Sequence, residues 1–360
     1  MKYTIKVTRT TNSRISDVDF DNIPFGRLFS DHMFITEYVD GQWVNPRIEP
    51  FAPFMINPAS MGLHYGQNIF EGMKASVNQN GEPMLFRPEQ HARRLNRSAT
   101  RMCMPNVPEE LFLDALHLLI GMDKDWIPPK EGSALYIRPF MFGNDEFIGV
   151  KPAQKYTFII LTGPVGPYYP RPVSLLAETK YIRAARGGVG EAKAAGNYGA
   201  AMLPSKIAQD KGYDQVLWLD GREFKYIQEV GSMNIFFVLD GKVITPSTED
   251  GTILRGISRD SILHILPEMG VEVEERALSI HEVVDAHHKG TLQECFGAGT
   301  AAVVAHVDKI AYADEVMELP DMKDRKIGEA VKNYINGLRA GKIEDTRGWI
   351  VPVKMKETVS

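Results

Sequence analysis

Apolar and polar positions fall into runs of two periods along this chain. In "HMFITEYVDGQWVN" (32–45) they alternate on either side of Asp40-Gly41, which predicts strand, tight turn and strand. "RPEQHARRLNRSATRM" (87–102) and "VPEELFLDALHLLIGM" (107–122) carry the helical period. Pro88 stands at the first turn of one helix; Asn106 is the expected cap of the other, which turns Leu111, Leu116 and Leu119 toward one face. "ALYIRPFMFG" (134–143) and "KYTFIILTG" (155–163) are apolar enough to be buried strands.

"GPVGPYYPRPVS" (163–174) has four prolines and two glycines in twelve residues, which suits neither a helix nor a central strand. It marks an expected linker, at 166–178, between a smaller N-terminal domain (1–165) and a larger C-terminal domain (179–360). Beyond it the pattern predicts a helix over about 198–211, a strand at 214–221 and a hairpin at 234–246 turning at Asp240-Gly241. A helix follows from Ser258 to Gly270, then a strand over 271–278. Helices and strands mix without strict alternation, so the expected class is α+β (mixed α/β).

Composition narrows the function. The 360 residues are 44% hydrophobic and 24% charged, with a net charge of −5 and no basic block, so nucleic-acid binding is not expected. Two cysteines, Cys103 and Cys295, make neither a disulfide scaffold nor a cysteine-rich metal site; no metal is expected. The polar N-terminus and the short apolar runs predict a cytoplasmic protein without signal peptide or membrane span.

Candidate chemistry centres on "GGVGEAKAAGNYGAAML" (187–203). Lys193 is not a P-loop lysine, because Ala194 follows it, and Gly188-Val189-Gly190 does not continue as GxGxxG. A lysine among small residues lets a flat ligand approach the backbone; desolvated by that ligand, it is a nucleophile suited to an aldehyde cofactor, of which pyridoxal phosphate is the commonest. Such a cofactor needs an acid at its ring nitrogen and donors for its phosphate. Glu229 is a candidate for the first. The helix start at Gly256, Ile257 and Ser258, the turn at Gly299-Thr300 and Arg94 are candidates for the second. Taken singly, each has an ordinary reading as well: an exposed lysine, a turn carboxylate, an N-capping serine, a tight loop, a solvated basic face.

The blocks "LHYGQNIFEGMKA" (63–75), "LFRPEQHARRLNRSATRMCMP" (85–105), "ALYIRPFMFG", "KAAGNYGAA" (193–201), "QVLWLDG" (215–221), "EVGSMNIFF" (229–237), "LRGISRDSIL" (254–263) and "CFGAGTAAVV" (295–304) resemble branched-chain amino-acid aminotransferases. These are fold-type IV pyridoxal-phosphate enzymes of two domains, and the likeness is to their larger, eukaryotic-like subgroup. The resemblance runs from about Phe25 to Val353.

It implies that Lys193 forms the Schiff base and shuttles the proton, that Tyr198 meets the phenolic oxygen, and that Glu229 keeps the ring nitrogen protonated. Arg94, Ile257, Ser258 and Thr300 would hold the phosphate, with Arg183 nearby. Tyr136, Thr300 and Ala301 would bind the substrate α-carboxylate, and Arg138 the distal carboxylate of glutamate. Phe25, Tyr65 and Phe70 would wall the aliphatic side chain. Tyr65, Ile148 and Val150 would come from the neighbouring subunit of a homodimer. Ser232 stands where mammalian members have threonine, and Ala302 and Ala305 stand where some carry a CxxC pair, so redox control of that kind is not expected. D-amino-acid aminotransferases and aminodeoxychorismate lyases share the lysine and glutamate. The "ALYIRP" and "LHYGQNIFEG" blocks favour the branched-chain enzymes over them. A non-catalytic phosphate binder would leave Lys193, Tyr198 and Glu229 without a joint purpose. Glu191 has no role in this reading.

Overall fold

The structure, a computed structural model, describes residues 3–130, 132–166 and 171–354. The chain forms two compact units, and neither is a continuous segment. The first comprises Met1–Tyr168, Ala192–Ala195 and Asn336–Ser360; the second comprises Tyr169–Glu191 and Gly196–Ile335.

The first unit is built on a mostly antiparallel sheet. Its order is Lys6–Val7, Gln42–Pro50, His32–Val39, Tyr156–Val165, Ala134–Gly143, Met73–Val77, Pro83–Phe86 and Ile350–Pro352, with Asn68–Phe70 also on Ala134–Gly143. The Asp40-Gly41 turn forms as expected, with φ of 49° and 80°. Helices Pro88–Arg101 and Glu109–Met122 cover one sheet face. Their Leu95, Phe112, Leu116 and Leu119 join Phe34, Leu135, Ile137 and Phe158 in one core. Asn106 does not cap the second helix, whose N-cap is Pro108; its carbonyl instead accepts the Trp43 indole N–H at 2.8 Å.

The second unit carries a mixed sheet ordered Ile227–Val230, Gln215–Leu219, Val173–Ala177, Val303–Tyr312, Leu292–Gly299, Asn234–Leu239, Lys242–Thr245 and Val273–Glu275, with Glu315–Glu318 on Val303–Tyr312. The hairpin over Asp240-Gly241 is present. The helix expected from Ser258 begins one residue earlier, at Ile257 after Gly256, and the expected helix near 198–211 is two pieces, Ala195–Ala200 and Met202–Asp210.

Three sequence expectations about organisation change. Strand Tyr156–Val165 runs through Pro164, and strand Val173–Ala177 lies inside the expected 166–178 linker, of which residues 167–170 lie outside the described residues. The lysine segment belongs to the first unit rather than the second: Ala194 bridges Ile69, and Ala192 and Ala194 are buried in the first core. Residues 336–360 also cluster with the first unit. Backbone pairing and core packing decide this, and they ignore distance along the chain.

Candidate active site

In the first unit the site follows from the two-residue period of strand Ala134–Gly143. Leu135, Ile137 and Met141 enter the helix-covered core, so Tyr136 and Arg138 stand on the opposite face. Two glycines make room there. Gly163 pairs with Tyr136, and a Cβ on it would come 2.1 Å from the Leu28 carbonyl, so only glycine lets segment 25–30 cross. That crossing sets the Phe25 ring 5.5 Å from the Tyr136 ring, edge to face. A Cβ on Gly72 would lie 2.4 Å from the Tyr136 hydroxyl.

Arg138 Nη2 donates to Tyr136 Oη at 3.0 Å, and the guanidinium lies 4.6 Å from the centre of the Phe70 ring. Its Nε is buried and has no hydrogen-bond partner among the described residues. Lys193 Nζ sits over the same Phe70 ring, 4.8 Å from its centre. The lysine is fixed by its backbone: its N–H donates to Ser98 Oγ at 2.9 Å and its carbonyl accepts Phe70 N–H at 3.0 Å. Phe25, Phe70, Tyr136, Arg138 and Lys193, far apart in sequence, thus form one cluster of aromatic faces and cations.

Arg94 lies on the helix that supplies Ser98, four residues earlier. It is buried and forms a two-pronged ion pair with Glu71, Nε to Oε1 at 2.7 Å and Nη2 to Oε2 at 2.8 Å. His91 Nδ1 is 2.8 Å from the same Oε2. Burial alone would raise the Glu71 pKa, but the charge and hydrogen bonds of Arg94, helped by His91, hold the carboxyl well below the usual range. Burial pushes His91 down to about 4, against the pull of Glu71. Lys74, paired in register with Tyr136, is pushed down to about 7 by burial and by Arg339. The sequence reading missed Glu71, Ser98 and Lys74. Glu71 and Lys74 lie inside the "FEGMKA" block, but nothing local distinguishes a carboxylate that orients an arginine from an exposed one.

The second unit holds the remaining expected residues of the site. Glu229 is buried; its Oε1 accepts Leu254 N–H at 2.6 Å and its Oε2 is 2.9 Å from Arg183 Nε. Arg183 also donates to the carbonyls of Thr252, at 2.8 Å, and Gly190, at 3.3 Å. Asn234 Nδ2 donates to the Leu254 carbonyl at 2.9 Å, and a Cβ on Gly256 would come 1.9 Å from Asn234 Oδ1. Helix Ile257–Glu268 therefore opens on an extended glycine with no side-chain cap among the described residues; Ser258 is its second residue, buried, and not its cap. The first-turn N–H groups of such a helix suit an anion.

Strands Asn234–Leu239 and Leu292–Gly299 pair with Asn234 opposite Ala298. The turn holding Ser232 and the turn holding Thr300 and Ala301 thus lie at the same end of the sheet, Ser232 exposed and the other two half-buried. Tyr198 is half-buried in helix Ala195–Ala200, whose Asn197 donates to the Val189 carbonyl at 2.9 Å. Glu191, left without a role above, lies against the turn at Gly251, where a Cβ would be 3.7 Å from its carboxylate. Among the described residues no group of three metal-ligating side chains occurs.

Tyr65, Ile148 and Val150 are not in the first unit's cluster. They are exposed, by 41%, 66% and 89%, on adjoining segments joined by the Ser60–Glu146 bridge and by Phe147 N–H to the Ala59 carbonyl. Phe54, Met55, Ile56, Leu63 and Phe147 are exposed on the same two segments. Apolar side chains exposed together on two bridged segments make this a candidate interaction face.

The sequence profile of amino-transferase class IV matches residues 68–310. The chain is 43% identical over 356 residues to branched-chain-amino-acid aminotransferase 2 of Bacillus subtilis, covering 98% of each, and 44% identical over 340 residues to branched-chain-amino-acid transaminase 1 of that organism, covering 93% of this chain and 95% of the relative. The crystal structure of the Escherichia coli branched-chain amino acid aminotransferase superposes with a TM-score of 0.73 at 26% identity, over 89% of this chain and 99% of that one. That of the Thermoproteus uzoniensis branched-chain aminotransferase, with norvaline, gives 0.72 at 26%, over 89% and 100%. The class that fold and site define is thus the class IV aminotransferases; the chain belongs to that family, in its branched-chain-amino-acid aminotransferase branch.

Proposed function

We propose that the chain transfers the amino group of leucine, isoleucine or valine, reversibly, to 2-oxoglutarate, with pyridoxal 5′-phosphate as cofactor and Lys193 as its attachment point. The observation that carries the reading is the cluster of Lys193, Phe70, Tyr136 and Arg138, in which one arginine N–H is buried and unmatched among the described residues. The donor sets fit the cofactor: an uncapped helix start and Arg94 for a phosphate, and a buried carboxylate, Glu229, for a ring nitrogen. When bound, the cofactor supplies an aldehyde carbon that receives the amino group and a ring that takes up the electrons left at Cα.

The residues do the rest. The Lys193 amine would take the substrate α-proton and return it to the aldehyde carbon on the far side of the amino nitrogen, acting as base and then acid. Glu229 holds the proton at the ring nitrogen, and Arg183 compensates its charge. Tyr198 donates to the phenolic oxygen. Arg94, Ile257, Ser258 and Thr300 hold the phosphate. Tyr136 with the turn at Thr300 and Ala301 binds the α-carboxylate, and Ser232 borders the substrate. One site must admit an aliphatic chain and a carboxylate in turn. The rings of Phe25 and Phe70 suit the first, and the Arg138 guanidinium lying on Phe70 suits the second.

We further propose a homodimer in which Tyr65, Ile148 and Val150 of each copy complete the other's site; their exposure supports it. A cytoplasmic location is proposed because both thiols, exposed Cys103 and buried Cys295, are free, as in a reducing compartment.

The test is spectroscopic first. The purified protein is expected to be yellow, and borohydride should fix the chromophore on the peptide containing Lys193. A protein that stays colourless with added pyridoxal phosphate overturns the cofactor assignment. Turnover of leucine, isoleucine and valine with 2-oxoglutarate is expected; turnover of D-alanine alone would overturn the substrate assignment.

A further inference from the structure

In the first unit, residues 10–31 form a connection whose two ends are tied together and whose middle carries Phe25. Thr10 N–H donates to His32 Nε2 at 2.9 Å, and Ser13 Oγ and the Arg14 N–H donate to the Asp31 carboxylate at 2.6 and 3.0 Å. Trp126 Nε1 donates to the same carboxylate at 3.0 Å. Burial alone would raise the Asp31 pKa, but the hydrogen bonds of Ser13, Arg14 and Trp126 hold the carboxyl below its usual range. Away from this neck, Phe25 and Gly26 form the corner of a turn closed by Arg27 N–H on the Pro24 carbonyl at 3.4 Å, with Gly26 at a φ of 70°.

One side chain links the neck to that turn. Arg14 Nη2 donates to the Ser30 carbonyl at 2.7 Å and to the Phe29 carbonyl at 3.2 Å. Both are charge-assisted bonds to backbone, so they fix the path of the chain rather than one rotamer. The guanidinium lies 5.5 Å from the centre of the Phe51 ring and 6.0 Å from that of Trp126. Phe29 stacks on the same Phe51, ring centres 4.9 Å apart. Ser30 N–H donates to the Thr162 carbonyl at 2.8 Å, beside Gly163, where the Leu28 carbonyl crosses. Arg14 thus grips the segment where it meets the sheet, and the same segment sets the Phe25 ring edge to face on Tyr136. Its own side chain is 44% exposed. Phe29, Ser30, Asp31, Phe51 and Trp126 are what it touches, so it acts through the segment and not on a substrate.

We propose that Arg14 is a positioning residue for the site: by holding the Phe29 and Ser30 carbonyls it fixes the Phe25 ring against Tyr136, and so sets how well the site takes an aliphatic side chain. This rests on the transaminase reading. An aliphatic side chain gains from a wall held at contact distance, since a gap of even 1 Å forfeits much of the packing. A carboxylate side chain depends on that wall less, because its partner Arg138 is held by Tyr136 and Phe70. Arg14 therefore bears on one class of substrate more than on the other.

The experiment uses Arg14→Met, which keeps an apolar stem against Phe51 and the backbone bond to Asp31 while removing the donors. The leucine and 2-oxoglutarate half-reactions are measured separately. The ratio of kcat/KM for leucine to that for 2-oxoglutarate is expected to fall about threefold or more, whereas a general loss of active protein would lower both alike. In a Phe25→Ala background, where no ring is left to position, Arg14→Met should change that ratio by less than about 1.5-fold. Hydrogen exchange needs no turnover: the Ser30 amide should exchange at least about threefold faster in Arg14→Met than in wild type. Equal exchange, an unchanged ratio, or an undiminished effect in the Phe25→Ala background each overturns the proposal. Failure of the transaminase reading shows instead as wild-type protein without turnover, and the exchange comparison tests the grip of Arg14 in either case.

Discussion

Lys193 is held by its backbone, between Ser98 Oγ and the Phe70 N–H, and only its amine reaches over the aromatic face. Removing the side chain therefore spares the contacts that place the segment. Lys193→Ala is expected to lower turnover by at least about 10³-fold, given the usual weight of a positioned acid–base group, with the thermal unfolding midpoint nearly unchanged. Steady-state kinetics and a melting curve check both halves. Arg138 is different, because its bonds to Tyr136 and its place on Phe70 suit a carboxylate ligand rather than a proton transfer. Arg138→Gln should raise KM for 2-oxoglutarate by about tenfold or more while the half-reaction with leucine loses much less. Equal losses in the two half-reactions, measured separately, would contradict that role.

At the scale of elements, helix Pro88–Arg101 does two jobs. Ala92, Leu95 and Ala99 pack it on the sheet, and His91, Arg94 and Ser98 face the Glu71 and Lys193 segments. The polar side of this helix makes stability sensitive to acid. His91 titrates near 4 when folded, because it is buried, and near 6.5 when unfolded, so between these values the unfolded chain binds more protons. Glu71, held low by Arg94 despite its burial, acts in the same direction at lower pH. The contribution of both is complete above about pH 6.5 and is lost as pH falls. Melting midpoints should drop by several degrees between pH 6.5 and 4, and the drop should be shallower in His91→Gln. A variant with the wild-type slope would show that His91 is not the titrating group.

For the whole molecule, Tyr65, Ile148, Val150 and their neighbours expose apolar side chains on two bridged segments, the face at which the proposed homodimer would close. Val150→Asp, at a side chain 89% exposed in its own chain, is expected to shift the proposed dimer to monomer in light scattering. Specific activity should fall about tenfold or more, because each site would lose residues from its partner. A dimer that persists with full activity would place the interface elsewhere.

Much of this was legible in the sequence. The two-residue period of "ALYIRPFMFG" fixes that Tyr136 and Arg138 share a face, since a strand must alternate. The helical period and the Asp-Gly turns mark elements that form where they were expected, and the helix after Gly256 begins one residue from its expected start, because their determinants are local. The block resemblance named the family, and it is the source of the roles proposed for Lys193 and Glu229. What the sequence could not settle depends on contacts between distant segments. Glu71, not solvent, claims Arg94; Ser98 and Phe70 draw Lys193 into the first unit; Gly163 is required because Leu28 crosses it. No periodicity encodes which buried donor meets which acceptor, so those pairings, and the Arg138 Nε left unmatched among the described residues, were decided only by the tertiary structure.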